Sequence, residues 1–285
     1  VSTGALIAVW AFLGPEYDDV LREVYTTTST DDILQKRFWL AIPFSDAVAD
    51  STPLLKLINR YVNDDVMKQI AAEHRTGRRL FIGTADLDRM RPRIWNIGAI
   101  AASGLPDAKK LVHSILLASA SIPGLLPPVR IEVEAAGKQF DELHVDGGTA
   151  AQVFIYPAAT DWRKALRRLD VPGRPNIYVI RNAPLLPDEE EIEPMVIPIA
   201  GRSISSLIRT QGLGDLYQIY MLSLRDGANY HLAFIPDVAN DIKPTEPFDA
   251  EYMKRLFERG YAAAKEGYPW LRTPPGWVRP ISEED

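Results

Sequence analysis

The chain has 285 residues, 46% hydrophobic and 25% charged, which suits one large α/β domain or two small ones, and its net charge of −6 leaves no basic face for a phosphate backbone, which argues against a nucleic-acid partner. The absence of cysteine excludes disulfides, thiolate nucleophiles and cysteine metal sites. Four histidines far apart in sequence (His74, His113, His144 and His231), with no H-E-x-x-H pair, argue against a zinc site, and no run approaches the roughly 18 apolar residues of a membrane span.

The first predicted element is a helix from Thr3 to Leu13, with Leu6, Val9, Trp10 and Leu13 at helical spacing and Gly14-Pro15 as its stop. A second helix is predicted over residues 17–25, followed by a Thr/Ser run, 26–30, that reads as loop and N-cap. Two more follow at 53–62 and 64–74, the latter capped by Asn63 and stopped at Gly77. Residues 79–84 and 93–97 then read as two strands around a polar turn. Asp107 is placed to cap a helix running to Ser119, which Pro123-Gly124 breaks. Residues 129–134 and 139–145 alternate around Ala136-Gly137-Lys138, a hairpin pattern that delivers the chain into Asp146-Gly147-Gly148.

Beyond these, 176–180 reads as a buried strand, 199–224 as one long or broken helix, 230–235 as a strand and 250–265 as a closing helix. Residues 185–193 and 271–285 read as surface loop and tail. Strands alternating with helices predict an α/β fold with a mainly parallel sheet covered on both faces.

Three stretches carry chemistry. Val1-Ser2-Thr3-Gly4 leads straight into an apolar helix, and a glycine before Val1 would complete G-V-S-T-G, the strand-turn-helix elbow that exposes a nucleophilic serine. Read alone, it is equally an ordinary helix cap. Asp146-Gly147-Gly148 puts a carboxylate at a strand end beside glycines that allow close backbone approach, which suits a base; read alone, it is a turn. Between them lies Ala118-Ser119-Ala120-Ser121-Ile122-Pro123-Gly124, otherwise a plain helix stop. If Ser2 is a nucleophile, the amide of Thr3 at the helix start is an oxyanion donor.

Together and in this order, the three stretches resemble the patatin-like phospholipases, whose pattern is G-x-S-x-G, then an A-S-x-A-x-P-x-x-F-P-P-like segment, then D-G-[GA]. The second appears here as Ala118 to Pro128, and the resemblance covers about the first half of the chain. It implies a single domain over 1–285 with a three-layer α/β/α fold, and a serine acyl-ester hydrolase of the phospholipase A type with no metal or organic cofactor. Its substrate would be a lipid or acyl ester, met at a membrane surface. In that reading Ser2 is the nucleophile and Asp146 the base, with Thr3 and Gly4 as elbow and oxyanion backbone and Gly147 and Gly148 holding the carboxylate loop. Ile122, Leu125 and Leu126 line an acyl pocket or serve the core. The first elbow glycine, its strand and the family's glycine-rich oxyanion loop are expected upstream of Val1. The style of bacterial members implies a cell-envelope or secreted location, with the cytoplasm as the alternative.

Two other readings stand beside it. A catalytically silent chain, truncated or serving binding, would share the motifs. An α/β-hydrolase triad in the chain order Ser2, Asp226, His231 would need the histidine that the dyad does without. His144, two residues before Asp146 and so on the same strand face, reads as a hydrogen-bonded strand-end residue.

Overall fold

The computed structural model describes residues 1–36, 45–135, 137–168, 170–185, 191–235, 244–246 and 248–278. The chain divides into two compact units, Val1–Gln152 with Ile242–Arg259, and Val153–Asp241 with Gly260–Asp285.

The first unit opens on helix α1 (Thr3–Leu13), apolar on nearly every side, with Ala5, Val9, Trp10, Phe12 and Leu13 buried. A helix apolar all round belongs inside a core, and this one is covered there. Gly14, at φ 122°, ends it, and Pro15 opens a 3-10 turn (Pro15–Tyr17) that leads into α2 (Asp18–Thr27). Ser29 and Asp32 form a reciprocal capping box on the short α3 (Thr30–Ile33), so the Thr/Ser run is part helix, part cap. Strand β1 (Gln35–Lys36) pairs antiparallel with β2 (Ala49–Asp50). Helices α4 (Thr52–Tyr61) and α5 (Asp64–Arg75) follow, the latter capped by Asn63, whose side chain accepts from the amides of Asp65 and Val66.

The main sheet runs β4-β3-β6-β5, from β3 (Phe81–Asp86), β4 (Arg91–Asn96), β5 (Val129–Ala135) and β6 (Lys138–Asp146). Every pairing in it is antiparallel. The expected mainly parallel sheet is therefore not what the described residues form. The reason is local: β3–β4 and β5–β6 are joined by connections of a few residues, which close hairpins and are too short for the crossover a parallel pair requires. Helix α6 (Ile97–Ala102) follows β4 directly, too short a run to register as a helical period in the sequence. Helix α7 (Ala108–Ser119) packs against β3, β5 and β6 with Val112, Ile115, Leu116 and Ser119 buried. Asp107 stands at its cap position, but its side chain makes no capping hydrogen bond. The core of this unit joins α1, α5 and α7 through residues such as Val9, Ile70, Ile82, Ile97 and Ile115.

In the second unit, α8 (Trp162–Arg168) was not expected from the sequence. Strand β7 (Asn176–Arg181) and strand β8 (Asn229–Phe234) pair in parallel, linked by the long α9 (Val196–Asp226). Gly227, at φ 72°, caps α9 in the left-handed conformation. Val179, Leu216, Ile219, Tyr220, Tyr230 and Leu232 make its core. Strand β7 is not buried throughout as expected: Tyr178 is 58% and Ile180 75% exposed, so one of its faces is open. Helix α10 (Ala250–Lys265), whose residues up to Arg259 belong to the first unit, has the bounds expected of it. Ala136 of the hairpin turn, 186–190 of the predicted loop and 279–285 of the tail lie outside the described residues.

Candidate active site

Ser2 sits between the chain's first residue and α1 with φ 53° and ψ −139°. A non-glycine residue held at positive φ outside a helix stores on the order of 1–3 kcal/mol of strain and persists only where its surroundings fix it. Its side chain makes no capping hydrogen bond to α1. The hydroxyl is thus not spent on the helix, which removes the bland reading of Val1-Ser2-Thr3-Gly4 as a cap.

What fixes Ser2 is the end of α7. The Ser2 amide donates to the Ser119 carbonyl at 2.9 Å and to the Ser119 hydroxyl at 3.2 Å. Ser119 is fully buried, and its hydroxyl donates to the Gly83 carbonyl of β3 at 2.7 Å. Two residues on, the Ser121 carbonyl accepts from the Asp146 amide at 2.8 Å, and the Ser121 hydroxyl donates back to Leu117. The segment Ser119-Ala120-Ser121, read from sequence as a helix stop, ties the backbones of Ser2 and Asp146 to one short stretch of chain.

Asp146 ends β6, opposite Thr84 of β3. It is 5% exposed, and its carboxylate accepts from the Gly148 amide at 2.7 Å. Burial pushes its pKa up from the ordinary aspartate value, while hydrogen bonds from the Ser2 side chain and the Gly148 amide pull the other way without overcoming it. The 3-10 turn Gly147–Thr149 follows at once. A Cβ on Gly147 would lie 2.4 Å from the Gly83 carbonyl oxygen and 2.6 Å from a Val1 methyl, so the close approach of β3 to this loop requires glycine there.

Thr3 and Gly4 form the first turn of α1, where amides have no carbonyl one turn back to bind. The Thr3 hydroxyl pairs with the Tyr25 hydroxyl at 2.8 Å, and Tyr25 in turn donates to the Thr3 carbonyl; burial pushes the Tyr25 phenol up to about 12. A Cβ on Gly4 would meet no atom within 4 Å, so the space beside it is open. Of the suggested acyl-pocket residues, Leu126 is 2% exposed in the core, Leu125 packs against that core half-buried, and Ile122 is open at 38%.

A match to a family model decides what these residues belong to: the model described as Patatin-like phospholipase matches residues 1–159. The chain belongs to the patatin-like phospholipase family. The patatin match contains Ser2, Ser119 and Asp146 together with the whole four-stranded sheet. Members of the family are typically lipid hydrolases, and the patatin assignment makes lipid the substrate class at that level. No curated protein matches the chain.

The histidines His144 and His231 each have partners other than Ser2 and Asp146. His144 is fully buried, with Nδ1 3.0 Å from the Thr84 hydroxyl and Nε2 3.3 Å from Glu142, and the Trp95 ring packed edge-on. Arg89 pairs with both Glu142 and Asp86 behind it. His231 bonds Asn176 and Arg272 and stacks on Tyr178, whereas Asp226 bonds Tyr156 and Arg225. Among the described residues, no group of three His, Asp or Glu side chains is arranged to hold a metal ion. Sequence reasoning missed Tyr25 and Gly83; the latter had a signal, a lone glycine inside an apolar strand, which marks close backbone approach.

Proposed function

We propose that the protein is a lipid acyl hydrolase that cleaves carboxylic esters with a Ser2–Asp146 dyad, on the three-layer α/β/α frame implied for the family. The observation that carries this reading is the strained, uncapped Ser2 fixed to the same three-residue segment as a buried carboxylate. Asp146 takes the proton from the Ser2 hydroxyl as its oxygen attacks the ester carbonyl. The amide of Thr3, with the N-terminus of α1 behind it, faces the negative charge that develops on the carbonyl oxygen. Collapse of the tetrahedral intermediate returns the proton to the departing alcohol and leaves an acyl-serine. Water, deprotonated by Asp146, then releases the fatty acid and restores the Ser2 hydroxyl. Gly147 and Gly148 keep the carboxylate loop close, and Ile122, exposed next to Ser121, is the acyl-facing candidate; Leu125 and Leu126 serve the core.

The separate partners of Asp226 and His231 favour a dyad over a triad. The test is hydrolysis of p-nitrophenyl acyl esters by the protein and by S2A, D146N and H231A. S2A and D146N each lose at least about 10³-fold, while H231A keeps its rate. Retained activity in S2A or D146N overturns the dyad. Failure of a fluorophosphonate to label Ser2 would point to a catalytically silent chain.

A further inference from the structure

Among the described residues of the second unit, the buried charged side chains are hydrogen-bonded with one exception. Asp226 bonds Tyr156 and Arg225, and Asp215 accepts from the Gln211 side chain at 2.8 Å and from the Val153 amide at 3.2 Å. Arg181, the last residue of β7, is 6% exposed, and its Nε and Nη1 atoms are buried with no hydrogen-bond partner among the described residues. A charged group taken out of water without hydrogen bonds is strongly destabilising. A guanidinium, unlike a lysine amine, cannot escape that cost by shedding its proton.

The surroundings of Arg181 add to the cost. Its charged neighbours are Arg209 and Asp215 of α9; burial and then Arg209 press its pKa down, and Asp215 opposes them. Two guanidinium groups thus stand against one carboxylate, whose oxygens already serve Gln211 and Val153. The cluster is left with positive charge in excess. Arg209 is anchored beside it, donating to the Leu185 carbonyl just past the strand. Glu191 and Glu193, on the approach to α9, are exposed, and neither reaches the orphaned atoms of Arg181. The place in the fold fits a ligand as well. Strands β7 and β8 run parallel, and Arg181 stands opposite Phe234 at their carboxyl ends. There the Ile235 amide donates to the Ala183 carbonyl at 3.4 Å and ties the two strand exits together. The carboxyl ends of parallel strands are where α/β sheets take their ligands.

We infer that Arg181 and Arg209 form a binding site in the second unit for a soluble small molecule that bears a phosphate or carboxylate group. One bound anionic group supplies acceptors to the orphaned donors of Arg181 and balances the excess charge. The flat N–H edges of a guanidinium match the oxygen spacing of either group, which a point charge such as an ammonium would not. The site uses neither Ser2 nor Asp146 and stands independently of the hydrolase reading.

Thermal unfolding in inorganic phosphate, in acetate and in sodium chloride, at one pH and one ionic strength, tests it. Phosphate or acetate raises the parent's midpoint by at least about 2 °C over chloride, through mass action on the folded state. The larger of the two shifts tells which head group the site prefers. S2A shows the same shift, because the anion does not act at the dyad. R181M replaces the buried charge with an apolar chain of similar length, so in chloride it is at least as stable as the parent, and it shows no anion shift. R209Q keeps the buried arginine, folds as the parent does, and loses at least half of the shift; it decides the matter if R181M does not fold. Equal midpoints for the parent in the three salts overturn the inference, as does a full shift in R181M or R209Q. Loss of the shift in S2A overturns it too, since the anion would then be acting at the dyad. A parent inactive on esters leaves every one of these outcomes as it stands, so failure of the hydrolase reading is told apart from failure of this one.

Discussion

Ser2 and Ser119 are joined twice: the Ser2 amide donates to both the carbonyl and the hydroxyl of Ser119, at 2.9 and 3.2 Å. The hydroxyl passes the constraint on to β3 through the Gly83 carbonyl at 2.7 Å. In S119A the carbonyl bond to Ser2 survives, but a buried carbonyl at Gly83 loses its partner. That costs about 1–3 kcal/mol, read as a shifted midpoint in urea with an unchanged slope. The catalytic rate falls less than in S2A, because the elbow keeps one of its two ties. A variant as stable as the parent would show that the Ser119 hydroxyl does not brace the elbow.

The second prediction concerns Asp146. Burial holds its pKa above the ordinary aspartate value, and a base must be ionised to accept a proton. On the proposed mechanism kcat/KM therefore falls on the acid side, with a midpoint above that of a free aspartate, and this limb reports the free enzyme. The Ser2 side chain is one of the groups drawing the pKa down, so S2A raises it further. Carboxyl carbon NMR titration of Asp146 in the two proteins measures this. An Asp146 pKa that is unchanged or lower in S2A would separate the two side chains.

Much of this was legible in the sequence, and what was not has a physical reason. Helix α1, with its clear stop at Gly14-Pro15, and α10, with its apolar period, could be read nearly to the residue, and so could the hairpin that ends on Asp146. The pairing direction of the sheet could not, because the count of alternating elements ignores how short the links between β3 and β4, and between β5 and β6, are. The site's motifs were visible as three stretches, but not the manner of their joining. Ser121 reaches Asp146, and Ser119 in part reaches Ser2, through backbone carbonyls, which every residue has, so side-chain identity carries no trace of that part of their role. The strain at Ser2 likewise exists only in the folded backbone.

Two glycines near the site predict opposite outcomes. G147A drives a methyl to 2.4 Å from the backbone oxygen of Gly83, and backbone cannot rotate away as a side chain can. The strands must part where Asp146 is held, at a cost of about 1–3 kcal/mol and with most activity lost. G4A meets nothing within 4 Å and replaces glycine in a helix, which gains up to about 1 kcal/mol. Its effect on function appears only as a raised KM, if substrate occupies the open space beside the first turn of α1. Thermal midpoints and ester kinetics for both variants check the pair; a G147A protein with the parent's midpoint would contradict the packing.

Acid stability supplies the last prediction. His113 is 5% exposed with Nε2 2.6 Å from the Val62 carbonyl, and His144 is fully buried between Thr84 and Glu142. Burial, the largest influence on both, holds each folded pKa below the ordinary 6.5. The unfolded chain therefore binds protons that the folded one refuses. Their contribution is fully present above pH 6.5 and is lost as pH falls toward the depressed folded values. Between pH 7.5 and 5.5 the unfolding free energy should decline, with a slope of at most about 1.4 kcal/mol per pH unit from each histidine. H113Q keeps a donor for Val62 without a titrating ring, so it should flatten the slope by its share while leaving stability at pH 7.5 close to the parent's. Urea unfolding at intervals across this range is the measurement. Stability that rises on acidification would mean that these rings gain, rather than lose, protons on folding.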